Sequence, residues 1–196
     1  SLLFNKVNIA KIEEFENFCK KNPNVKYIDA IISDTSGIIR GKRFPTNEIK
    51  KLFESGIQFA AAIFLLDVTG NSADPGGRGF TDGDPDKTFL PVSGSIQLMP
   101  WHKDSLAQVL VTLQDNNFND NIVDPRNVLA KAWEKFDELN LSFKVAFELE
   151  FYLFKKRKNS YAKPEPAVSN DTKKQSEGTQ VYGMRELDEF YDFLED

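Results

Sequence analysis

Glu148 and Glu150 stand two residues apart in a run, Val145 to Phe154, that is otherwise almost wholly aliphatic and aromatic. The composition, the alternation and the lack of Gly or Pro predict a strand over 143–154. Phe147, Leu149, Phe151 and Leu153 then line one face, and Ala146, Glu148, Glu150 and Tyr152 the other. Two residues on a strand span roughly 6.6 Å, so both carboxylates point the same way, close enough to share a cation. One reading is an amphipathic strand with a wet face. The other starts from the apolar flanks: a buried carboxylate is costly unless a positive group meets it. No Lys or Arg occurs from Val145 until Lys155. A divalent metal suits hard oxygen donors so placed.

A second group of acids lies in residues 67–87, where five aspartates face only Arg78 and Lys87, a net of −3. Asn71 to Lys87 reads as loop, through Gly76, Gly77 and Gly79 and then Asp82, Gly83, Asp84 and Pro85. A loop of this length inside a compact domain is usually functional or disordered. It is not a phosphate-binding P-loop, because no Gly-Lys-Ser/Thr follows. It is not an EF-hand, because the closing Glu is missing.

The elements that must position these acids read in chain order. Ile9, Ile12, Phe15, Phe18 and Cys19 share one face of a helix over 9–21. Tyr27 to Ser33 and Ile38 to Phe44 form a β-hairpin through the turn Asp34 to Gly37. Arg40, Lys42 and Arg43 make its second strand basic, which reads as a solvated edge that resists aggregation. Pro45 and Thr46 open a short helix through Phe53, closed by Gly56. Phe59 to Val68 reads as an apolar strand, and further strands follow at about 88–98 and 106–114. A polar loop over 116–121 leads to a helix with Asp124 as N-cap and Pro125 at its first position. Val128, Leu129, Ala132, Trp133, Phe136 and Leu139 form its apolar face. Residues 155–180 are Lys-, Asn-, Ser- and Pro-rich and read as a mobile loop or linker, with Lys155 to Lys158 a solvated strand end. An amphipathic helix begins at Met184, with Leu187, Phe190, Tyr191 and Leu194, and meets no stop signal by Asp196. The first ~110 residues thus read as an α+β unit with a mostly antiparallel sheet. The rest reads as the unfinished opening of a second domain.

Composition sets outer bounds. The 196 residues are 40% hydrophobic and 28% charged, enough for a sizeable core. A net charge of −5 argues against a general nucleic-acid binder, which needs basic surface. No apolar run of about 18 residues suggests a membrane span. No signal-peptide pattern opens the chain, and it lacks an initiating Met, as a processed or cut chain would. Cys19 is the one cysteine, so no internal disulfide can form and a reducing, cytoplasmic setting fits. In an apolar stripe it reads as packing rather than a nucleophile. His102, the one histidine, reads as a surface residue beside Trp101.

Three stretches in succession resemble the type I glutamine synthetase family. Ala146 to Leu153 is similar to its Glu-x-Glu strand, and Asp124 to Leu129 to the helix start before it. Residues 34–45 are similar to the hairpin of its β-grasp-like N-terminal domain. Order and spacing match over essentially the whole chain. Arg40 to Arg43, Asp67 to Asn71, Pro91 to Ser95 and the Glu-Leu-Glu strand further resemble its gamma-glutamylputrescine synthetase branch. The resemblance implies a β-grasp-like domain with an antiparallel or mixed sheet at 1–115 and the beginning of a catalytic α+β domain at 116–196.

It also implies a function: ATP-dependent joining of the glutamate γ-carboxyl to an amine through γ-glutamyl phosphate, with Mg²⁺ or Mn²⁺. The family assembles as a dodecamer in which the N-terminal domain of one subunit completes its neighbour's active site. By position, Glu148 and Glu150 match the metal ligands of the Glu-x-Glu strand. Asp67 matches the Asp that receives the amine's proton, Asp86 the second acid of that loop, and Tyr182 a substrate-site Tyr. Where ammonia-using members have Asp-Gly-Ser-Ser, Asp67 is followed by Val68, Thr69 and Gly70. That departure suits a larger amine. A −3 loop favours a dication such as putrescine, at about 4 kcal/mol per close charge pair for an effective dielectric near 20. The family's nucleotide-binding strands and glutamate-binding arginine fall beyond residue 196, so the 196-residue chain alone is expected not to turn over. Two readings compete: a non-catalytic assembly or binding module, and a glutamine synthetase that uses ammonia.

Overall fold

The computed structural model describes residues 7–113, 123–168 and 184. The chain divides into two compact units, Ser1–Phe143 and Lys144–Asp196.

The first unit is α+β, with a mixed sheet. In order its elements are α1 (Ile12–Lys21), β1 (Tyr27–Ser33), β2 (Ile39–Pro45), α2 (Lys50–Ser55), β3 (Ile57–Ala60), β4 (Asp86–Pro91), β5 (Gln97–Leu98), β6 (Leu106–Leu113) and α3 (Pro125–Glu138). Among the described residues the sheet runs β2-β1-β6-β4-β3, with β5 also on β6. β1 pairs parallel with β6, and every other pairing is antiparallel. β6 holds the middle because it is apolar almost throughout: six of its eight residues are buried.

β1 alternates as a half-buried strand should, with Ile28, Ala30 and Ile32 inward. The helices cover that layer. Phe15 of α1 stacks on Phe53 of α2 at 4.9 Å between ring centroids. Phe89 of β4 meets Phe59 edge-on at 5.1 Å and Phe64 in a stack at 5.7 Å. Cys19 packs against this core. Its half-buried position pushes the thiol pKa up, away from the thiolate a nucleophile needs. His102 is exposed, as expected.

Two expected strands end early. Phe59 to Val68 is not one strand: after Ala60 the chain turns into a 3₁₀ helix, Ala61–Leu65. The alanines have weak strand preference, and the ladder stops where Ala60 meets Asp86 at the start of β4. The stretch 88–98 is likewise broken between β4 and β5. Glu14 of α1 grips the intervening turn, accepting from Ser93 Oγ at 2.9 Å and from Gly94 N at 2.7 Å.

α3 begins where its cap and proline place it, but its apolar face is largely open. No residue of α3 is buried, and Leu129 and Leu139 are 59% and 68% exposed. Trp133 and Phe136 pack on Phe143, at 4.1 and 4.9 Å between centroids.

In the second unit, the strand expected over 143–154 is absent among the described residues. A strand needs a partner ladder, and here only Phe154 is bridged, to Pro166. Phe147 and Leu149 are 90% and 86% exposed. Lys155 to Lys158 are exposed, as expected, and the Lys155 ammonium lies 3.2 Å from Glu165 at the surface. The expected polar loop at 116–121, the part of the 155–180 segment beyond residue 168, and the helix from Met184 lie outside the described residues, Met184 itself excepted.

Candidate active site

Asp67 stands just past Leu66, the C-cap of the 3₁₀ helix, and its carboxylate builds the turn that carries it. Oδ1 accepts from Thr69 N (2.8 Å), Thr69 Oγ1 (2.7 Å) and Asn71 N (2.9 Å). Asn71 Nδ2 donates in turn to Thr69 Oγ1 at 2.6 Å. The backbone closes the same turn, with Asp67 N donating to Asn71 O at 2.9 Å and Gly70 N to Asp67 O at 3.0 Å. The Thr69 hydroxyl and then the Asn71 amide hold the Asp67 carboxyl below its ordinary pKa, against a smaller upward push from desolvation. Asp67 is therefore ionised at neutral pH. All three donors take Oδ1, so Oδ2 has no partner among the described residues and the side chain is exposed. One oxygen is anchored and the other is available. Val68, Thr69 and Gly70 mark a departure in sequence; Thr69 and Asn71 prove to be what orients the acid.

Asp86 opens β4 opposite Ala60 and is exposed. A cavity of about 320 Å³ lies nearby, lined by Arg78, Asp82, Asp84 and Lys87 with Ala61, Ala62 and Leu65 among its walls. Neither Asp67 nor Asp86 lines it.

Asp74 organises the loop between them, a role sequence reasoning missed. It sits at φ 44°, in the left-handed region that Asp tolerates better than most residues. Its Oδ1 accepts from Phe80 N at 3.0 Å and Thr81 N at 3.3 Å, and Oδ2 accepts a short bond from Thr81 Oγ1. The Thr81 hydroxyl is the main reason its pKa is lowered. An Asp-Pro pair directly before the Gly-Gly-Arg-Gly run is the only signal that could have suggested it.

Glu148 and Glu150 lie in the unpaired, exposed stretch of the second unit. Exposure removes the burial argument for a bound cation, since water already solvates these carboxylates. Their oxygens are the right donors for Mg²⁺ or Mn²⁺. Among the described residues, however, no group of three or more His, Cys, Asp or Glu comes together, so the two do not make a complete site. Tyr182 lies outside the described residues.

The basic strand β2 is not simply solvated. Arg40 Nε lies 2.7 Å from Asp34 Oδ2, and the Asp34 side chain is fully buried. Arg43 grips Asp29 with two bonds, at 2.7 and 2.9 Å. Lys42 donates to Gln58 O at 3.0 Å and sits 4.7 Å over the Phe59 ring. Asp34, Asp29 and the Gln58 carbonyl give these cations structural partners.

The glutamine synthetase catalytic-domain profile matches residues 122–196. Gamma-glutamylputrescine synthetase PuuA of Escherichia coli (strain K12) is 34% identical over 184 residues, covering 94% of this chain and 39% of that protein. Glutamate–isopropylamine ligase of a Pseudomonas species is 33% identical over 153 residues, covering 76% of this chain and 32% of that protein. Glutamine synthetase of Methanosarcina mazei is 30% identical over 138 residues, covering 69% and 28%. The chain thus spans less than half the length of these relatives. The Glu-Leu-Glu run and the Asp124 helix start fall inside the catalytic-domain match. The chain belongs to the glutamine synthetase family.

Proposed function

We propose that this chain is the N-terminal part of an ATP-dependent ligase that joins the glutamate γ-carboxyl to an amine of the putrescine type. The observation that carries this reading is the 34% identity to a gamma-glutamylputrescine synthetase across 94% of the chain. A second relative is named as a glutamate–isopropylamine ligase, which also favours an alkylamine over ammonia. Residues 1–115 form the N-terminal domain in this reading, and 116–196 begin the catalytic domain. The site is shared between subunits of a dodecamer in the cytoplasm.

The chemistry assigns work to this chain's own residues. The incoming amine arrives protonated and must lose a proton before its lone pair attacks the γ-carbonyl carbon, from which phosphate departs. Asp67 is ionised and keeps Oδ2 open, so it can hold the ammonium and take that proton. Asp86 adds negative charge at the same loop, and Tyr182 contributes to the substrate site. Divalent metals bound by the whole enzyme would neutralise the anions gathered around the phosphoryl group. Glu148 and Glu150 would supply two of the carboxylates.

An amine panel on the whole enzyme tests the reading. Putrescine should exceed ammonium in kcat/KM by at least about tenfold, and Asp67→Asn should cut kcat by roughly 10²–10⁴. Equal use of ammonium, or full activity in Asp67→Asn, would overturn it.

A further inference from the structure

The hairpin turn and the Asp67 loop are joined by one hydrogen bond between residues 29 apart in sequence: Thr35 Oγ1 donates to Phe64 O at 3.1 Å. Both ends of that bond are themselves held. Thr35 sits in a turn built on Asp34, whose Oδ1 accepts from Ser36 N and Ile38 N, each at 2.9 Å. Arg40 Nε takes the other oxygen, Oδ2, at 2.7 Å. Backbone bonds from Asp34 N to Ile38 O and from Gly37 N to Asp34 O, both 3.1 Å, close the turn.

At the far end, Phe64 is the penultimate residue of the 3₁₀ helix, with its ring buried against Phe89. The last carbonyls of a short helix lack donors from their own helix, so an outside hydroxyl fixes how that end is aimed. Only Leu65 and Leu66 separate Phe64 from Asp67. Three residue steps reach at most about 11 Å, so the loop's root cannot move far from its pin.

We propose that Thr35 is a positioning residue, whose hydroxyl pins the Phe64 carbonyl and thereby sets where the Asp67 carboxylate stands. Its importance to the reaction rests on the reading of Asp67 given above. Arg40 and Asp34 serve the same end one step back, by keeping the turn that presents Thr35 in a single shape.

Thr35 is exposed, so losing its hydroxyl does not hollow the core. NMR titration of the Asp67 carboxyl in Thr35→Val and Thr35→Ser tests the proposal, with Asp74 as the control acid of the same loop. In Thr35→Val the Asp67 pKa should rise by about half a unit toward the ordinary value, because its Thr69 and Asn71 donors are no longer held in register. Asp74, fixed by Thr81 and Phe80, should stay put, and Thr35→Ser should match wild type. An unmoved Asp67 in Thr35→Val would overturn the proposal. So would a joint rise of Asp67 and Asp74, or the same rise in Thr35→Ser. The role of Asp67 itself is decided separately by Asp67→Asn activity in the whole enzyme, so either idea can fail alone.

Discussion

Arg40 Nε lies 2.7 Å from Oδ2 of Asp34, a carboxylate with no exposed side-chain surface, while Arg40 keeps 20% of its own. Burial alone would push the Asp34 pKa up. The Arg40 hydrogen bond, the Ile38 and Ser36 amides and the Arg40 charge outweigh it, and the net shift is downward from 3.8. A carboxyl lowered in the folded state contributes stability above its unfolded pKa and loses it as pH falls through the folded value. The Asp34 contribution is therefore complete at neutral pH and disappears only below 3.8. Asp34→Asn should unfold more readily at pH 7 and show a shallower loss of stability between about pH 4 and 2. Urea unfolding across that range checks it; an unchanged slope would contradict the assignment.

Asp124 brackets β6 and α3. Oδ1 accepts from Arg126 N at 2.9 Å as the helix cap, and Oδ2 accepts from Thr112 Oγ1 at 2.7 Å and Leu113 N at 2.9 Å. Asp124→Ala removes the cap and leaves buried donors unpaired, at a combined cost on the order of 2–3 kcal/mol. Asp124→Asn should cost less, since its amide oxygen can still accept one set. Chemical denaturation of both variants tests the order.

Gly41 faces Ile31 across the β1–β2 ladder. A Cβ there would overlap Ala30 O and stand 3.1 Å from Ile31 Cα, against backbone that cannot yield cheaply. Gly41→Ala should destabilise the first unit by roughly 1–3 kcal/mol through overpacking. Because Arg40 is the adjacent residue, the variant should also shift the Asp34 carboxyl upward. Calorimetry and an NMR titration of Asp34 give the two readouts.

Replacing Glu148 and Glu150 together with Gln should weaken Mn²⁺ binding to the whole enzyme at least about tenfold. Stability of the first unit should not change. Calorimetric titration with the metal measures the first, and thermal unfolding of the 196-residue chain the second. Unaltered metal affinity would remove both glutamates from the ligand set.

Local signals carried much of the fold. Asp124 and Pro125 announce a helix start because cap and ring geometry act within one turn of chain. The hairpin about Asp34 to Gly37 and the α1 stripe are similarly short-range. Phe59 to Val68 misled because hydrophobicity says that a segment is buried, not whether a ladder partner extends alongside it. Val145 to Phe154 misled for the same reason: alternation describes a strand's faces, and pairing is what makes it a strand.

By itself the sequence determined the family, the α+β class, the hairpin, the helix starts and the identity of the acids, all properties of residue type and near-neighbour spacing. Tertiary structure alone decided which oxygen of Asp67 is spent on its own turn and that Arg40 neutralises a buried Asp34. It also decided that a threonine 29 residues upstream of Phe64 ties the hairpin to the acidic loop. Those relationships join segments that pack in space without any fixed separation in sequence. No periodicity records them, and they exist only once the sheet has brought β2 and the end of β3 to their places.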